Sequence, residues 1–251
     1  MSEVLLVVAG LFLPLFPFSM FFTEMFDRMR TVKHRVLLLF IWPQIGILIT
    51  QLADVDIPDW IIGWALFTAL LYGFRAVALR EVGLWSSFLA ISSWAIMWVI
   101  ADSNNAYFQL VFYALAFSAP LALLILLCDE IEKRFGAAYT DLYGGLAEAV
   151  PRLSGVLVIV VLAVIASPLF PNFTAMLSAI IGASSSSFFA AVVIGCVWLV
   201  WSWAGARLLQ GLIVGPASEE KPSDLDANLT WKYVAGLSVL TIVGIFSMGS
   251  L

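Results

Sequence analysis

The sequence predicts an all-α, polytopic integral membrane protein with about eight transmembrane helices, the sixth of them discontinuous. Three observations point there. The 251 residues are 63% hydrophobic and 12% charged, with a mean hydropathy of +1.04, which leaves too little polar surface to solvate a globule. The apolar residues fall in blocks long enough to cross roughly 30 Å of hydrocarbon. Stretches 121–127 and 156–165 are continuously apolar, where the strands of a membrane barrel would alternate.

The crossings follow in order at 4–22, 36–52, 60–77, 83–101, 107–127, 153–183, 188–213 and 231–248. In the first, Pro14 and Pro17 each remove a backbone donor, so the helix must kink or break. Pro43 and Gln44 stand inside the second, and Arg75 lies where its long stem can carry the charge out to the interface. The sixth is about thirty residues long, against the roughly 20 that a straight crossing needs. Ser167-Pro168 and Pro171-Asn172 sit near its middle, and a break there frees carbonyls and half-helix ends at membrane depth. Trp42, Trp60, Trp64, Trp85 and Trp231 fall near the expected helix ends, as rings of a membrane-interface belt would. The polar stretch 216–228 reads as a loop, and Met1-Ser2-Glu3 lacks the basic region of a signal peptide, so the first helix is expected to be retained. One transmembrane domain is expected over 1–251, without an internal repeat.

The basic residues fix the orientation. With the N-terminus outside, all 12 Lys and Arg fall on the cytoplasmic side, while the outer loops carry acids such as Asp54, Asp56, Asp59 and Asp102. Counting the sixth segment as two full crossings would move Arg207, Lys221 and Lys232 outside, so it is read as one. Both termini then face outward. The net charge of −5 is spread over loops on both sides and implies no basic partner.

Few side chains suggest chemistry. Glu24 and Arg28 stand at i, i+4 after the first helix, either as a proton-relay carboxylate with its partner or as an interfacial charge cluster. Gln44, and Gln109 one turn before Tyr113, are polar groups inside the spans, suited to hydrogen bonds across a helix interface or to a hydration path. At the break, Ser167, Pro168, Pro171, Asn172 and Thr174 either line a site or satisfy a proline kink by packing. His34 lies between Lys33 and Arg35, and Cys128 and Cys196 are isolated, so no metal site, disulfide framework or cofactor is expected. No nucleophile, base and orienting group can be assembled, which argues against a membrane enzyme.

The stretch Gly144-Gly145-Leu146 followed by Pro151, the apolar half-helix after it, and the break at Ser167-Pro168 and Pro171-Asn172-Phe173 resemble the broken helix of the antiporter-like subunits of respiratory complex I and related cation/proton antiporters. The helix 110–119 and the stretch 198–211 are similar to the family's flanking helices, so the resemblance runs over 107–215; helices 1–106 stay unassigned, and 216–251 holds a cytoplasmic loop and the last helix. The family moves protons through buried charged side chains. Here Tyr113 stands where the family has its His, Phe117 where it has a Lys, and Ala175 or a neighbour where the broken helix carries its Lys or Glu.

The resemblance therefore implies an accessory, non-catalytic subunit in a bacterial plasma membrane, within a proton- or cation-coupled complex. Its partners would be a full-length antiporter-like homologue and a cytoplasmic catalytic subunit. Complexes built on such homologues include complex I, membrane-bound hydrogenases, multisubunit sodium/proton antiporters and energy-coupled inorganic-carbon uptake systems. The alternative is an autonomous small-solute or ion transporter whose path is lined by hydroxyls and backbone groups, namely Ser92, Ser93, Ser118, Ser167, Asn172, Thr174 and Ser178.

Overall fold

The computed structural model describes residues 2–103, 106–140, 145–215 and 222–249. The linker 141–144, with the first glycine of the Gly-Gly-Leu stretch, and residues 216–221 of the polar loop lie outside the described residues. The described chain is helical: α1 (Ser2–Phe12), α2 (Ser19–Arg28), α3 (Val32–Ala53), α4 (Asp59–Ala76), α5 (Val82–Asp102), α6 (Tyr107–Phe135), α7 (Leu146–Ala149), α8 (Pro151–Val164), α9 (Pro171–Ser186), α10 (Phe188–Ile213) and α11 (Ala227–Met248). By length and composition α3, α5, α6, α10 and α11 can each cross a membrane, and α1 and α8 are shorter apolar helices.

Local chemistry sets the helix ends. Pro151 and Pro171 open α8 and α9 at positions where a missing N–H costs nothing, and the side chains of Ser187 and Asp226 cap α10 and α11 by accepting from Ala190 N and Asn228 N. Gly136, at φ 80°, ends α6 in a left-handed turn, two turns beyond the expected end at 127. The expected first crossing is two helices, α1 and α2, separated at 13–18, and the expected sixth is the pair α8 and α9.

The core is organised around α5. This helix is apolar around its whole circumference and is buried from Val82 to Ile100, among α2, α4, α6, α9 and α10. Ser86, Ser87 and Ser93 donate to carbonyls three or four residues back, which removes their polar demand and keeps the side chains small enough for close helix contact. Ser92 instead donates across to Ala69 O on α4 at 2.6 Å and accepts the indole N–H of Trp201 on α10 at 2.8 Å. One hydroxyl thus ties three helices together.

Two expected belt residues are internal. Trp85 is wholly buried and Trp42, at the middle of α3, is 6% exposed, whereas Trp60 and Trp231 are exposed. Sequence position alone placed Trp42 near an interface; the structure gives its N–H a partner in the interior.

Residues 223–224 are fixed to one end of the bundle. Asp224 accepts from the backbone N–H groups of Arg152 and Leu153 at 2.9 and 3.1 Å, capping α8, and Arg134 at the end of α6 donates to Ser223 O at 3.0 Å. Replacing Asp224 by Ala should lower thermal stability by about 1–2 kcal/mol, since it strips a cap and an anion from a helix N-terminus; an unchanged melting temperature contradicts this reading. Beyond the expected crossing, Glu130 is paired with Arg134 and Lys133. Burial pulls its carboxyl upward, but the hydrogen bonds from Arg134 and Lys133 outweigh it and hold the group below its ordinary value. A depressed carboxyl stabilises the fold at neutral pH and loses that contribution as pH falls through its folded value. Melting temperature followed below about pH 4.5 should therefore fall less steeply in Glu130→Gln than in the parent.

Candidate functional site at the two helix breaks

The two proline breaks carry the densest polar contacts in the apolar core, and each can be followed carbonyl by carbonyl. In a regular helix the carbonyl of residue i accepts from the N–H of i+4, so a proline orphans the carbonyl four residues before it. Pro14 and Pro17 thereby orphan Gly10 O and Leu13 O. Leu15 N turns to Gly10 O at 2.8 Å, which in turn releases Leu11 O. The Trp42 indole donates to Leu11 O at 3.2 Å and the Trp98 indole to Leu13 O at 2.9 Å. Met20 N bonds Pro17 O, leaving Phe16 O to the Trp64 indole, while Phe16 N donates to Thr68 Oγ1 at 3.1 Å. Three tryptophans, from α3, α5 and α4, supply donors that the broken helix has lost. The close approach depends on Gly46, where an added Cβ would sit 2.7 Å from Leu13 Cγ and 2.9 Å from Leu13 N.

The second break follows the same logic. Pro168 orphans Val164 O, and Ser167 N turns to Leu162 O, loosening Ala163 O. Asn172 donates through Nδ2 to Ala163 O at 2.6 Å and to Val164 O at 3.3 Å, and the Trp198 indole donates to Ile165 O at 3.1 Å. Phe170 N takes Ser167 O, which Pro171 had orphaned. Thr174 Oγ1 bonds Pro171 O and lies 3.1 Å from Ser247 Oγ on α11. Ala166 and Leu169 have φ of 57° and 94°, conformations that cost of order 1–3 kcal/mol each and persist only under packing. Gly244 of α11 supplies that packing, because a Cβ there would run into the Leu169 carbonyl.

Of the sequence-predicted residues, Ser167, Pro168, Pro171, Asn172 and Thr174 thus meet at one break. Asn172 is 1% exposed and its Oδ1 has no partner among the described residues. Gln109 and Tyr113 pair with each other on α6, Nε2 to Oη at 2.8 Å. Glu24 is paired with Arg28 at 2.7 Å, both side chains well exposed. Gln44 donates to Val111 O on α6. Phe117 packs edge-on to Trp201, with centroids 6.1 Å apart, and Ala175 is fully buried. Sequence reasoning missed the donors Trp42, Trp64, Trp98 and Trp198; the available signal was an indole inside an apolar span, which usually finds an acceptor, although Trp85 Nε1 has none among the described residues. Among the described residues no three His, Cys, Asp or Glu side chains cluster in a way that could hold a metal.

Three hydroxyls of the expected path are engaged in the core. Ser92 and Ser93 donate to Ala69 O and Ala90 O, and Ser118 accepts from the Trp94 indole at 3.3 Å; all three are buried.

No protein-family model matches the chain, and no curated protein is significantly similar to it. Solved structures are similar in fold. A chain of the Mrp complex from a Dietzia species superimposes with a TM-score of 0.86 at 16% identity, covering 98% of this chain and 56% of that one. A chain of respiratory complex I from Thermus thermophilus with bound NADH gives 0.80 at 17% identity, with 98% and 54% covered. A chain of the membrane-bound sulfane sulfur reductase, an archaeal respiratory membrane complex, gives 0.80 at 14%, with 96% and 51% covered. The fold is that of the antiporter-like subunits, and this chain spans about half their length. The likeness takes in residues 1–106 as well as the 107–215 stretch in which the sequence resemblance was visible.

Replacing Trp98 by Phe should cost about 1–3 kcal/mol, because it leaves the buried Leu13 carbonyl without a donor while keeping an aromatic ring. Trp60→Phe, at an exposed position, should stay within about 0.5 kcal/mol. Thermal unfolding of the two variants side by side checks the difference.

Proposed function

We propose that this chain is a non-catalytic, non-conducting integral subunit of a multisubunit proton- or cation-coupled membrane complex. The observation that carries the proposal is chemical. At both breaks the side chains that meet freed carbonyls are indole, amide and hydroxyl donors, none of them ionisable near neutral pH, and the positions where the sequence resemblance expects titratable groups hold Tyr113, Phe117 and Ala175. A proton path needs ionisable groups with tuned pKa values in a hydrated channel. The fold supports membership of a complex, because the Mrp complex, complex I and the sulfane sulfur reductase all contain a chain of this shape.

In this reading eight passages run through the bundle, α1/α2 and α8/α9 counting once each, with both termini outside a bacterial plasma membrane. A full-length antiporter-like homologue packs beside the chain, and the basic end, with Arg134, Arg152 and Asp224, faces a cytoplasmic catalytic subunit. Multisubunit antiporters and inorganic-carbon uptake complexes suit a small additional subunit best. A second reading, autonomous solute or ion transport, is favoured by Asn172 Oδ1 and Gln44 Oε1, buried polar atoms without a partner among the described residues.

The purified chain in liposomes should give no proton flux above the lipid leak, and purification from the source membrane should bring antiporter-like subunits with it. A monomer that conducts protons overturns the proposal; labelled-solute uptake lost in Asn172→Leu establishes the second reading instead.

A further inference from the structure

A groove whose lining includes none of the orphaned carbonyls combines features that define a ligand. It lies between α4 and α10, capped by the ends of α5 and α9, with a cavity of about 510 Å3, within the roughly 300–1,000 Å3 of small-molecule sites. Its body is apolar: Ile62, Leu66 and Leu70 of α4 face Val193 of α10. Its mouth is polar and acidic, with Asp59, Asp102, Ser186 and Ser187.

Length and charge identify the occupant. From Asp59 to Leu70 the groove follows α4 for about 16 Å at 1.5 Å per residue, half of a roughly 30 Å hydrocarbon layer. That is the depth of one leaflet and suits one acyl chain, with its headgroup at the mouth. The mouth lies at the bundle end that carries Asp54, Asp56, Asp59 and Asp102, while the described Lys and Arg residues lie at or towards the opposite end. Asp59 and Asp102 both line the mouth, where two carboxylates repel each other. A cation between the carboxylates relieves this repulsion. Ser187 Oγ accepts from Ala190 N, which leaves its own proton to donate to a phosphate oxygen.

We infer that the α4–α10 groove binds a phospholipid with a primary ammonium headgroup, the ammonium between Asp59 and Asp102 and one acyl chain along Ile62, Leu66 and Leu70. Gly63 lines the groove, and a Cβ built there meets nothing within 4 Å, so a larger side chain fills the cavity without displacing the helix.

The test uses the full chain in nanodiscs of equal phosphatidylethanolamine and phosphatidylglycerol, with native mass spectrometry counting retained lipid. Wild type should retain one phosphatidylethanolamine with about fivefold preference, the size expected of partly exposed ion pairs. Gly63→Leu should lose that lipid with an unchanged melting temperature, and Asp59→Asn with Asp102→Asn should keep a lipid and lose the preference. The inference fails if wild type retains phosphatidylglycerol equally well or retains no lipid. It fails equally if Gly63→Leu, folded, keeps the bound molecule. The wild-type comparison decides alone if a variant does not fold.

Discussion

Every backbone polar group held in hydrocarbon must find a partner within the protein, because an unsatisfied one costs several kcal/mol where no water can reach it. This chain breaks two helices in such an environment, and its packing is arranged around the carbonyls that the breaks expose. Trp42, Trp64 and Trp98 reach Leu11, Phe16 and Leu13 from three different helices, and Trp198 with Asn172 does the same for Ile165, Ala163 and Val164. The buried indoles of Trp42 and Trp98 also fill volume, so one side chain both closes the core and supplies a donor. The central position of α5 follows: it delivers Trp98 to the first break and, through Ser92, holds α4 and α10 together.

The same constraint bears on function. Half-helix ends at membrane depth are a usual device for ion sites, because the freed groups can bind ions or water. In this protein the carbonyls of Leu11, Leu13, Phe16, Ala163, Val164 and Ile165 are met by protein donors that stay neutral at physiological pH, and the ion pairs given by Glu24, Asp129 and Glu130 lie beyond the expected crossings. The fold of the antiporter-like subunits is thus present with neutral donors at its breaks. The strained turn at Ala166 and Leu169, pressed by Gly244, keeps the second break in one conformation.

Much of this was legible in the chain. Proline positions identify which carbonyls are orphaned by simple subtraction of four residues, and Pro14, Pro17, Pro168 and Pro171 mark both breaks. Asn172 and Thr174 were readable as local polar groups able to satisfy the second. The tryptophans were not, because the partner of an indole N–H lies far away in sequence: 85 residues separate Trp98 from Leu13. An interfacial ring and an internal donor look alike in a one-dimensional pattern, so Trp42 and Trp85 read as belt residues. The likeness of 1–106 to antiporter-like subunits was equally invisible, since 14–17% identity preserves helix packing without preserving motifs.

Indole hydrogen exchange tests the central claim most directly. With indole 15N-labelled tryptophan in bilayers transferred to D2O, the N–H protons of Trp42, Trp98 and Trp198 should persist as long as the backbone amides of α5, while those of Trp60 and Trp231 exchange at once. Exchange of Trp98 as fast as Trp60 would mean that water reaches the first break, and the account of two dry, donor-sealed breaks would be contradicted.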